Sequence, residues 1–228
     1  MSVKSPSILA IIPARGGSKG LPAKNLKMLQ GKPLLAWTIE AAIGAQCISK
    51  VVVSTDDLDI ASIAKASGAE VPFIRPRFLS TDNATTANVV SHASSFYTGF
   101  DFLMVLQPTS PLRNSLDIDN AFLAMTNVNV SSCVSINEVT ESPWLMFQRN
   151  SVGSLSKIIS DGRQRRQDFP TSYIVNGAIY IVSTREFQKE ESFFLPDTFG
   201  YVMENNRSID IDTLDDFMKA ERLILASA

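Results

Sequence analysis

Apolar residues along the chain gather in short unbroken runs, and between these runs they recur every three or four positions. Apolar runs at residues 8–12 and 102–106, and the valines within residues 50–54, are typical of parallel strands that are buried on both faces. Shorter runs predict further strands at residues 70–74, 130–136, 177–182 and 200–203. The predicted helices cover residues 33–45, the stretch that ends at Gly68, residues 85–97, the stretch that Ser115 caps, residues 184–190 and the residues after Thr213. This alternation predicts an α/β fold.

Residues 139–173 break the alternation, and we interpret them as an inserted hairpin arm. They are rich in prolines and polar residues, and they contain two short apolar runs and the basic string Arg163-Gln164-Arg165-Arg166. Since these apolar side chains have no obvious place in the main sheet, we expect the arm to pack on a second subunit. The alternative is a lid that folds back on its own domain.

Length and composition predict one domain spanning residues 1–228, and they exclude several classes of protein. The formal net charge of -2 offers no field for nucleic acid or an anionic membrane, so anion binding must come from local clusters. With one histidine, His92, and two cysteines, Cys47 and Cys133, neither a Cys/His metal site nor a disulfide framework can be assembled. The first residues lack the apolar core of a signal peptide and no apolar run could span a bilayer, so we expect a soluble cytoplasmic protein.

A glycine-rich, basic loop follows the first predicted strand directly, and it is the strongest chemical signal in the chain. Its residues of interest are Arg15, Gly16, Gly17, Ser18, Lys19, Gly20, Lys24 and Asn25. Glycines let backbone N–H groups turn toward an anion and the cations neutralise its charge, so this composition indicates phosphate binding. The spacing fits neither the P-loop nor the dinucleotide fingerprint. A solvated loop is the alternative, but the preceding buried strand favours a ligand site.

Two aspartates near the C terminus form the second signal. In the sequence SIDID at residues 208–212, an extended backbone projects Asp210 and Asp212 to one face, while the isoleucines anchor the other face in the core. A hard divalent cation such as Mg²⁺ relieves the repulsion between two carboxylates and takes phosphate oxygens as further ligands. The alternative is that Asp212 caps the terminal helix and Asp210 is solvated.

The segment QPTSPLR at residues 107–113 is the third signal. Its prolines stiffen a loop at the end of a strand, which presents the Gln107 amide and the Thr109 and Ser110 hydroxyls as hydrogen-bond partners for a polyhydroxylated ligand. An ordinary turn is the alternative. Phe193 and Phe194 lie in a connection, and on the pattern alone they fill the core.

Four sequence blocks together resemble a known family. They read IIPARGGSKGLPAKN, VVVSTDD, LQPTSPLR and the pair NGAIYI with SIDIDT, and they extend over almost the whole chain. The chain thereby resembles the CMP-N-acylneuraminate cytidylyltransferases, which activate sialic acid and related nine-carbon keto-sugar acids. The resemblance implies a Rossmann-like three-layer nucleotidyltransferase fold with an inserted β-hairpin dimerisation arm. It also implies transfer of CMP from CTP to the anomeric hydroxyl of a sialic-type acid, with release of pyrophosphate.

The resemblance further implies roles for individual residues in nucleotide, sugar and metal binding. On the nucleotide, Arg15, Gly17, Ser18, Lys19 and Lys24 would hold the triphosphate, Asn25 would lie near the ribose, and Arg75 and Thr86 would recognise cytosine. On the sugar acid, Gln107, Thr109 and Ser110 would face the substrate, and Phe193 and Phe194 would line its acyl pocket. Asp210 and Asp212 would carry Mg²⁺ or Mn²⁺. The expected catalytic residues are Arg15, Lys19, Lys24 and Asp212, and the expected assembly is a homodimer whose arm reaches over the partner's site.

Two departures from the family pattern concern the sugar acid. Sialic-acid enzymes commonly carry an arginine shortly before the NGAIY block and a lysine in the arm, whereas this chain has Tyr-Ile-Val at residues 173–175 and Trp-Leu-Met at residues 144–146. Legionaminic or pseudaminic acid is therefore a candidate beside N-acetylneuraminic acid, with Arg165 or Arg166 as the source of the missing charge. Alternative functions are a nucleotidyltransferase for another base or sugar, and a nucleotide-binding subunit without catalysis.

Overall fold

A six-stranded sheet with helices on both faces forms the body of the protein. The structure, a computed structural model, describes residues 5–18, 20–160, 162 and 165–227. Its strands are β1 (Ile8–Pro13), β2 (Met28–Leu29), β3 (Lys32–Pro33), β4 (Lys50–Ser54), β5 (Phe102–Val105), β6 (Ser132–Glu138), β7 (Phe147–Arg149), β8 (Leu155–Lys157), β9 (Tyr173–Ser183) and β10 (Phe199–Val202). Its helices are α1 (Leu34–Gly44), α2 (Leu58–Ala66), α3 (Thr86–Ser94), α4 (Ser115–Asn127), α5 (Thr184–Glu190) and α6 (Leu214–Ser227).

The strand order in the main sheet is β10-β6-β9-β5-β1-β4. Strand β9 runs antiparallel to both of its neighbours, and the other paired strands of this sheet are parallel. At the centre, Ile11 of β1 lies opposite Val52 of β4 and Val105 of β5. Because β1, β4 and β5 are parallel and in register, the loops that follow them meet at one edge of the sheet.

Side chains of β1 alternate between two cores, one on each face of the sheet. Ile8, Ala10 and Ile12 belong to a core that includes residues of α1, α2 and α4. Leu9 and Ile11 belong to a core with residues of α3 and α5. A strand covered on both faces must be apolar throughout, which explains the unbroken run in the sequence. The arrangement has three layers and confirms the predicted fold class.

The segment between β6 and β9 extends as an arm. Strands β7 and β8 pair in antiparallel fashion, so the segment contains a β-hairpin. Trp144 and Phe169 stack with their ring centroids 5.9 Å apart. Several large apolar side chains of the arm are exposed: Leu145, Met146, Phe147, Val152, Leu155 and Ile158. The arm thus presents apolar surface outside the core, and its packing on a second subunit stays a prediction.

Two local predictions are wrong. Residues 70–74 do not form a strand, since only Glu70 bridges to Val52 and Pro72 has no N–H with which to continue a ladder. The cap of α4 is Asn114 rather than Ser115, because Asn114 and Asp117 form a reciprocal capping box. Within the residues that the structure describes, no helix has the length and apolar character needed to cross a membrane.

Candidate active site

A cleft with a volume of about 450 Å³ lies at the edge of the sheet where β1 and β5 end. Its walls include the loop after β1, the loop after β5 and the segment that leads into α3. Asp212, which lies shortly before α6, also contributes. Nine of the predicted site residues line it: Arg15, Ser18, Lys24, Asn25, Arg75, Thr86, Gln107, Thr109 and Asp212. The fold therefore brings together segments from the beginning, the middle and the end of the chain.

The loop after β1 is fixed by close contacts with the segment after β4 and by a hydrogen bond between its end and its start. The Gly16 N–H donates to the Asp56 carboxylate at 3.0 Å. A Cβ atom on Gly16 would lie 2.6 Å from Asp57 Oδ2, so this position accepts only glycine without rearrangement. The Asn25 amide donates to the Arg15 carbonyl at 2.9 Å, which ties the end of the loop to its start. The loop is thus a preformed cradle.

Arg15 and Arg75 supply positive charge to the cleft in different ways. Arg15 is partly exposed and pairs with Asp82 at 3.0 Å. Arg75 is buried and donates to the Ser54 carbonyl at 2.6 Å and to the Leu79 carbonyl at 3.3 Å. Burial lowers the pKa of Arg75, and the charge of Asp56 opposes this shift. Arg75 is therefore rigidly held at the cleft wall, whereas Arg15 can exchange its partner for a ligand.

Lys24 joins the loop after β1, which we call the basic loop, to residues 208–212, which we call the acidic segment. Its ammonium group donates to the Asp212 carboxylate at 2.9 Å and to the Ile211 carbonyl at 2.6 Å, and its side chain is only 12% exposed. A Cβ atom on Gly20 would lie 2.4 Å from the Asp212 carbonyl oxygen, so the loop packs directly on this segment. These contacts link residues that are 188 positions apart. Lys19, predicted to bind the triphosphate, lies outside the described residues.

Residues 208–212 form no helix or strand, and the side chains from Ile209 to Asp212 alternate between core and surface. Ile209 and Ile211 are buried, while Asp210 and Asp212 are solvent accessible. The surrounding protein nevertheless raises the pKa of Asp210; the Thr109 hydroxyl opposes this shift and the charge of Asp212 adds to it. A carboxylate whose ionisation is disfavoured in this way is a setting in which a cation binds favourably.

The loop after β5 meets both β9 and the acidic segment. The Thr109 carbonyl accepts a hydrogen bond from the Ile211 N–H at 2.8 Å. Gly177 of β9 has φ of +77°, and a Cβ atom there would lie 3.1 Å from Gln107 Oε1 and 3.6 Å from Asp210 Oδ2. Glycine at this position lets the three segments approach one another. Gln107 and Asp210 therefore face the same space.

Three aromatic rings pack together after Gly177, and we call Tyr180, Phe193 and Phe194 the aromatic group; none of them lines the cleft. The Tyr180 ring lies 5.9 Å from that of Phe193 and 6.3 Å from that of Phe194, measured between centroids. Phe193 is 6% exposed and fills the core, whereas Phe194 is 57% exposed. Burial raises the pKa of Tyr180, and the charge of Asp210 raises it further. Within the aromatic group, Tyr180 is thus the member that senses the charge of the acidic segment.

The remaining predicted residues have separate positions. Gly17 is exposed, with open space where a Cβ atom would lie. Ser110 is completely buried and does not line the cleft. Arg165 and Arg166 lie in the arm, outside the cleft lining of their own chain. The Arg165 guanidinium is bound on two sides by Asp168, at 2.7 and 3.1 Å.

Two residues of the site were missed in the sequence. Asp82 pairs with Arg15, yet it stands in an ordinary loop in the sequence, and no spacing rule connects it with the first loop. Tyr180 lies within the apolar run of β9, and its hydroxyl was the only available signal in that run. Both residues are identified as part of the site by their contacts in the structure, and their positions in the sequence give no such indication.

Asp210 and Asp212 suit a hard cation together with ligands from outside the chain. Among the residues that the structure describes, no group of three or more His, Cys, Asp or Glu side chains could hold a metal ion. Mg²⁺ is commonly bound by one or two carboxylates, and substrate phosphate oxygens and water complete its octahedron. The donor set therefore fits Mg²⁺ or Mn²⁺ that binds with a nucleotide.

Comparisons with known proteins agree with this geometry. The sequence profile of the family described as Cytidylyltransferase matches residues 9–223. An N-acylneuraminate cytidylyltransferase of Escherichia coli is 37% identical over 211 residues, which are 92% of this chain and 50% of that protein. A CMP-N,N'-diacetyllegionaminic acid synthase of Legionella pneumophila is 37% identical over 224 residues, which are 95% of this chain and 96% of that protein. The chain thus spans about half the length of the first relative.

A solved structure has a similar fold. CMP:2-keto-3-deoxy-manno-octonic acid synthetase complexed with CTP matches with a TM-score of 0.74 and 17% sequence identity, and the match covers 98% of this chain and all of that one. At this identity the similarity concerns the architecture alone. It confirms the predicted Rossmann-like nucleotidyltransferase fold.

Proposed function

Because the chain belongs to the cytidylyltransferase family, we propose that it transfers CMP from CTP to the anomeric hydroxyl of a nonulosonic, sialic-type acid. The names of two relatives support this substrate class, since one acts on N-acylneuraminate and the other makes CMP-N,N'-diacetyllegionaminic acid. The proposed products are a CMP-sugar and pyrophosphate.

The observation that carries the proposal is the contact between the basic loop and the acidic segment. Lys24 bonds to Asp212 at 2.9 Å, and Arg15 lines the same cleft. A site for a nucleoside triphosphate and its metal ion needs cationic side chains for the phosphates and carboxylates for the metal, within a few ångströms of each other. A phosphate-binding loop without catalysis would need the cations alone, so the carboxylates favour an enzyme.

The proposed step is an in-line attack of the anomeric oxygen on the α-phosphorus of CTP, in which the bond to pyrophosphate breaks as the new P–O bond forms and the hydroxyl proton passes to water. Such steps rely on positioning and on charge stabilisation at the phosphoryl oxygens. Arg15, Lys24 and, outside the described residues, Lys19 would supply positive charge along the triphosphate. Asp210 and Asp212 would hold Mg²⁺ or Mn²⁺, which when bound neutralises charge on the phosphates.

Recognition of the two substrates is assigned to opposite ends of the cleft. At the nucleotide end, Gly17 and Ser18 would offer donors to phosphate, Asn25 would approach the ribose, and Arg75 and Thr86 would read the base. At the sugar end, Gln107 and Thr109 would bind hydroxyls, and Phe193 and Phe194 would contact the acyl group. Ser110 would support this loop from beneath, since its side chain is buried.

The sugar end also supports a homodimer. The sugar carboxylate needs a cation, and Gln107, Thr109 and the aromatic group offer none. The arm is exposed, apolar and basic, so we propose that it packs on a second subunit and brings Arg166 to the partner's sugar site. Arg166 is preferred to Arg165, since Asp168 already occupies the Arg165 guanidinium. Free thiols at Cys47 and Cys133, and CTP as substrate, support a cytoplasmic location.

Release of pyrophosphate tests the proposal. The purified protein with Mg²⁺ is assayed with CTP, UTP, ATP or GTP against N-acetylneuraminic, legionaminic and pseudaminic acids, and the CMP-sugar is identified by mass spectrometry. We expect turnover with CTP and at least one of these acids, with legionaminic acid as the first candidate because the Legionella relative matches end to end. Turnover only with another nucleotide would replace the substrate assignment. Nucleotide binding without turnover of any pair would support a subunit that lacks catalysis.

A further inference from the structure

A cluster of buried charges lies behind the cleft, at the N-terminal end of α4. It consists of Arg113, Asp117 and Arg207, and we call it the α4 charge cluster. Arg113 and Asp117 are 1% and 2% exposed, and Arg207 is partly buried. None of these three residues lines the cleft, so the reaction proposed above leaves the cluster without a role.

Through Asp117, the cluster holds the acidic segment. The Asp117 carboxylate accepts hydrogen bonds from Nε and Nη2 of Arg207, both at 3.2 Å. Arg207 directly precedes residues 208–212, which carry Asp210 and Asp212. Because a bidentate pair fixes the orientation of the guanidinium as well as its position, Asp117 determines where the acidic segment starts.

Through Arg113, the cluster reaches the loop after β5. Nη2 of Arg113 donates to the Thr38 hydroxyl at 2.7 Å, and this hydroxyl donates to the Gln107 carbonyl at 3.4 Å. The Arg113 backbone N–H donates to the Ser110 carbonyl at 3.4 Å. Burial lowers the pKa of Arg113 to about 10, and the charge of Asp117 opposes this shift. The guanidinium therefore stays charged at neutral pH beneath the sugar-side loop.

The cluster is not an efficient means of stabilising the fold. Nε and Nη1 of Arg113 are buried and have no hydrogen-bond partner within the described part of the chain. Replacing a buried charge cluster by packed apolar side chains is often neutral or stabilising. What Asp117 and Arg207 do provide is a fixed start for the acidic segment, which approaches Gln107 of the loop after β5 at Asp210, near Gly177.

We propose that Asp117 is a positioning residue for the reaction, which aligns the acidic segment through Arg207. The inference rests on the proposed function, since the aligned segment is the one assigned to the metal. Loss of Asp117 should therefore slow the chemical step and weaken metal binding. Recognition of the nucleotide base should stay unchanged.

Asp117 also caps α4, so the test must separate alignment from helix capping. Asp117→Asn keeps the volume and an oxygen that can accept the Asn114 N–H, but it removes the charge that orients Arg207. Glu204→Gln is the matched control, because Glu204 contacts the same Arg207 at 2.8 Å from an exposed position.

We expect Asp117→Asn to lower kcat by about 10-fold to 100-fold, because small displacements of reacting groups have effects of this size. The Mg²⁺ concentration for half-maximal rate should rise, while KM for CTP stays within about twofold of wild type. Arg207→Gln should give the same pattern, and the double variant should be no slower than the slower single variant. Glu204→Gln should match wild type.

A second measurement needs no turnover. Binding of Mn²⁺ to the protein with a non-hydrolysable CTP analogue, followed by electron paramagnetic resonance, should weaken in Asp117→Asn and not in Glu204→Gln. Wild-type kcat and Mn²⁺ affinity in Asp117→Asn would overturn the inference, and so would losses in every parameter, KM for CTP included, that parallel a fall in Tm. If wild-type protein turns over no keto-sugar acid, the proposed function fails, and the Mn²⁺ titration still decides the role of Asp117.

Discussion

The two halves of the cleft differ in where their charges come from. The nucleotide half contains Arg15, Lys24 and Arg75, each of which is hydrogen-bonded to a group of the same chain. We call the side assigned to the sugar acid the sugar half; it comprises Gln107 and Thr109 of the cleft lining and the aromatic group, all of which are neutral. One chain therefore supplies cations on the side of the cleft that we assign to the nucleotide, and only neutral groups on the side that we assign to the sugar acid.

The difference has a physical consequence for assembly. A carboxylate that leaves water needs a cation or several N–H donors, whereas hydroxyl and acyl groups are satisfied by neutral partners. Changes in the nucleotide half should therefore act within one chain and reduce the chemical step. Changes in the arm should act across the dimer and weaken binding of the sugar acid.

The largest effect is expected for Asp212→Asn, which removes a carboxylate from the nucleotide half and leaves Lys24 without its charged partner. We expect kcat to fall by about 1,000-fold, since the charge of the bound metal acts in the transition state. Steady-state pyrophosphate release over a range of Mg²⁺ concentrations measures the loss. Asp215→Asn is the matched control, because Asp215 lies in the first turn of α6 and does not line the cleft. An Asp212→Asn enzyme with normal turnover and a normal Mg²⁺ response would refute the metal assignment.

The next largest effect is expected for Lys24→Met, which keeps the length of the side chain and removes its charge. Loss of one charged donor to a developing phosphoryl charge lowers kcat by about 100-fold. Lys65→Met is the control, since Lys65 is exposed on α2. Turnover of Lys24→Met within about threefold of the control would show that the contact with Asp212 has no part in the reaction.

The sequence predicts the nucleotide half better than the sugar half, and the reason is local. Residues 8–12 and the loop after them are contiguous, and an unbroken apolar run has one simple explanation in an α/β sheet, namely a strand covered on both faces. Residues 70–74 show the limit of such reasoning. A single missing N–H at Pro72 ends pairing after Glu70, although the flanking residues favour a strand.

Residues that act through distant contacts could not be predicted. Asp82 meets Arg15 across 67 positions, and Tyr180 joins the site through ring contacts with a segment that follows β9. The burial of Ser110 depends on how the loop folds, which the composition of a Pro-rich loop does not specify. The sugar half is made mostly of such contacts, and part of it is assigned to another chain.

The division between the halves is tested most directly by Arg166→Ala in the arm. Loss of a charged partner should raise KM for the sugar acid by about 20-fold and leave KM for CTP unchanged. Arg149→Ala, which changes another exposed arginine of the arm, is the control. Mixed dimers sharpen the result: when Arg166→Ala and Asp212→Asn subunits are combined, one site regains both intact groups if the arm acts across the dimer. Mixtures with no more activity than the separate variants would contradict action across the dimer.

The smallest effect is expected for Phe194→Ala, because this ring is 57% exposed and its removal creates no buried cavity. Loss of an apolar contact with the acyl group should raise KM for the sugar acid by about fivefold, with little change in kcat or in KM for CTP. Phe96→Ala, at an exposed ring outside the cleft, is the control. The ratio of KM values for acids with acyl groups of different size gives the sharper measurement, since only a ring in contact with that group changes the ratio. An unchanged ratio would separate Phe194 from the acyl pocket and restrict the sugar half to Gln107, Thr109 and Tyr180.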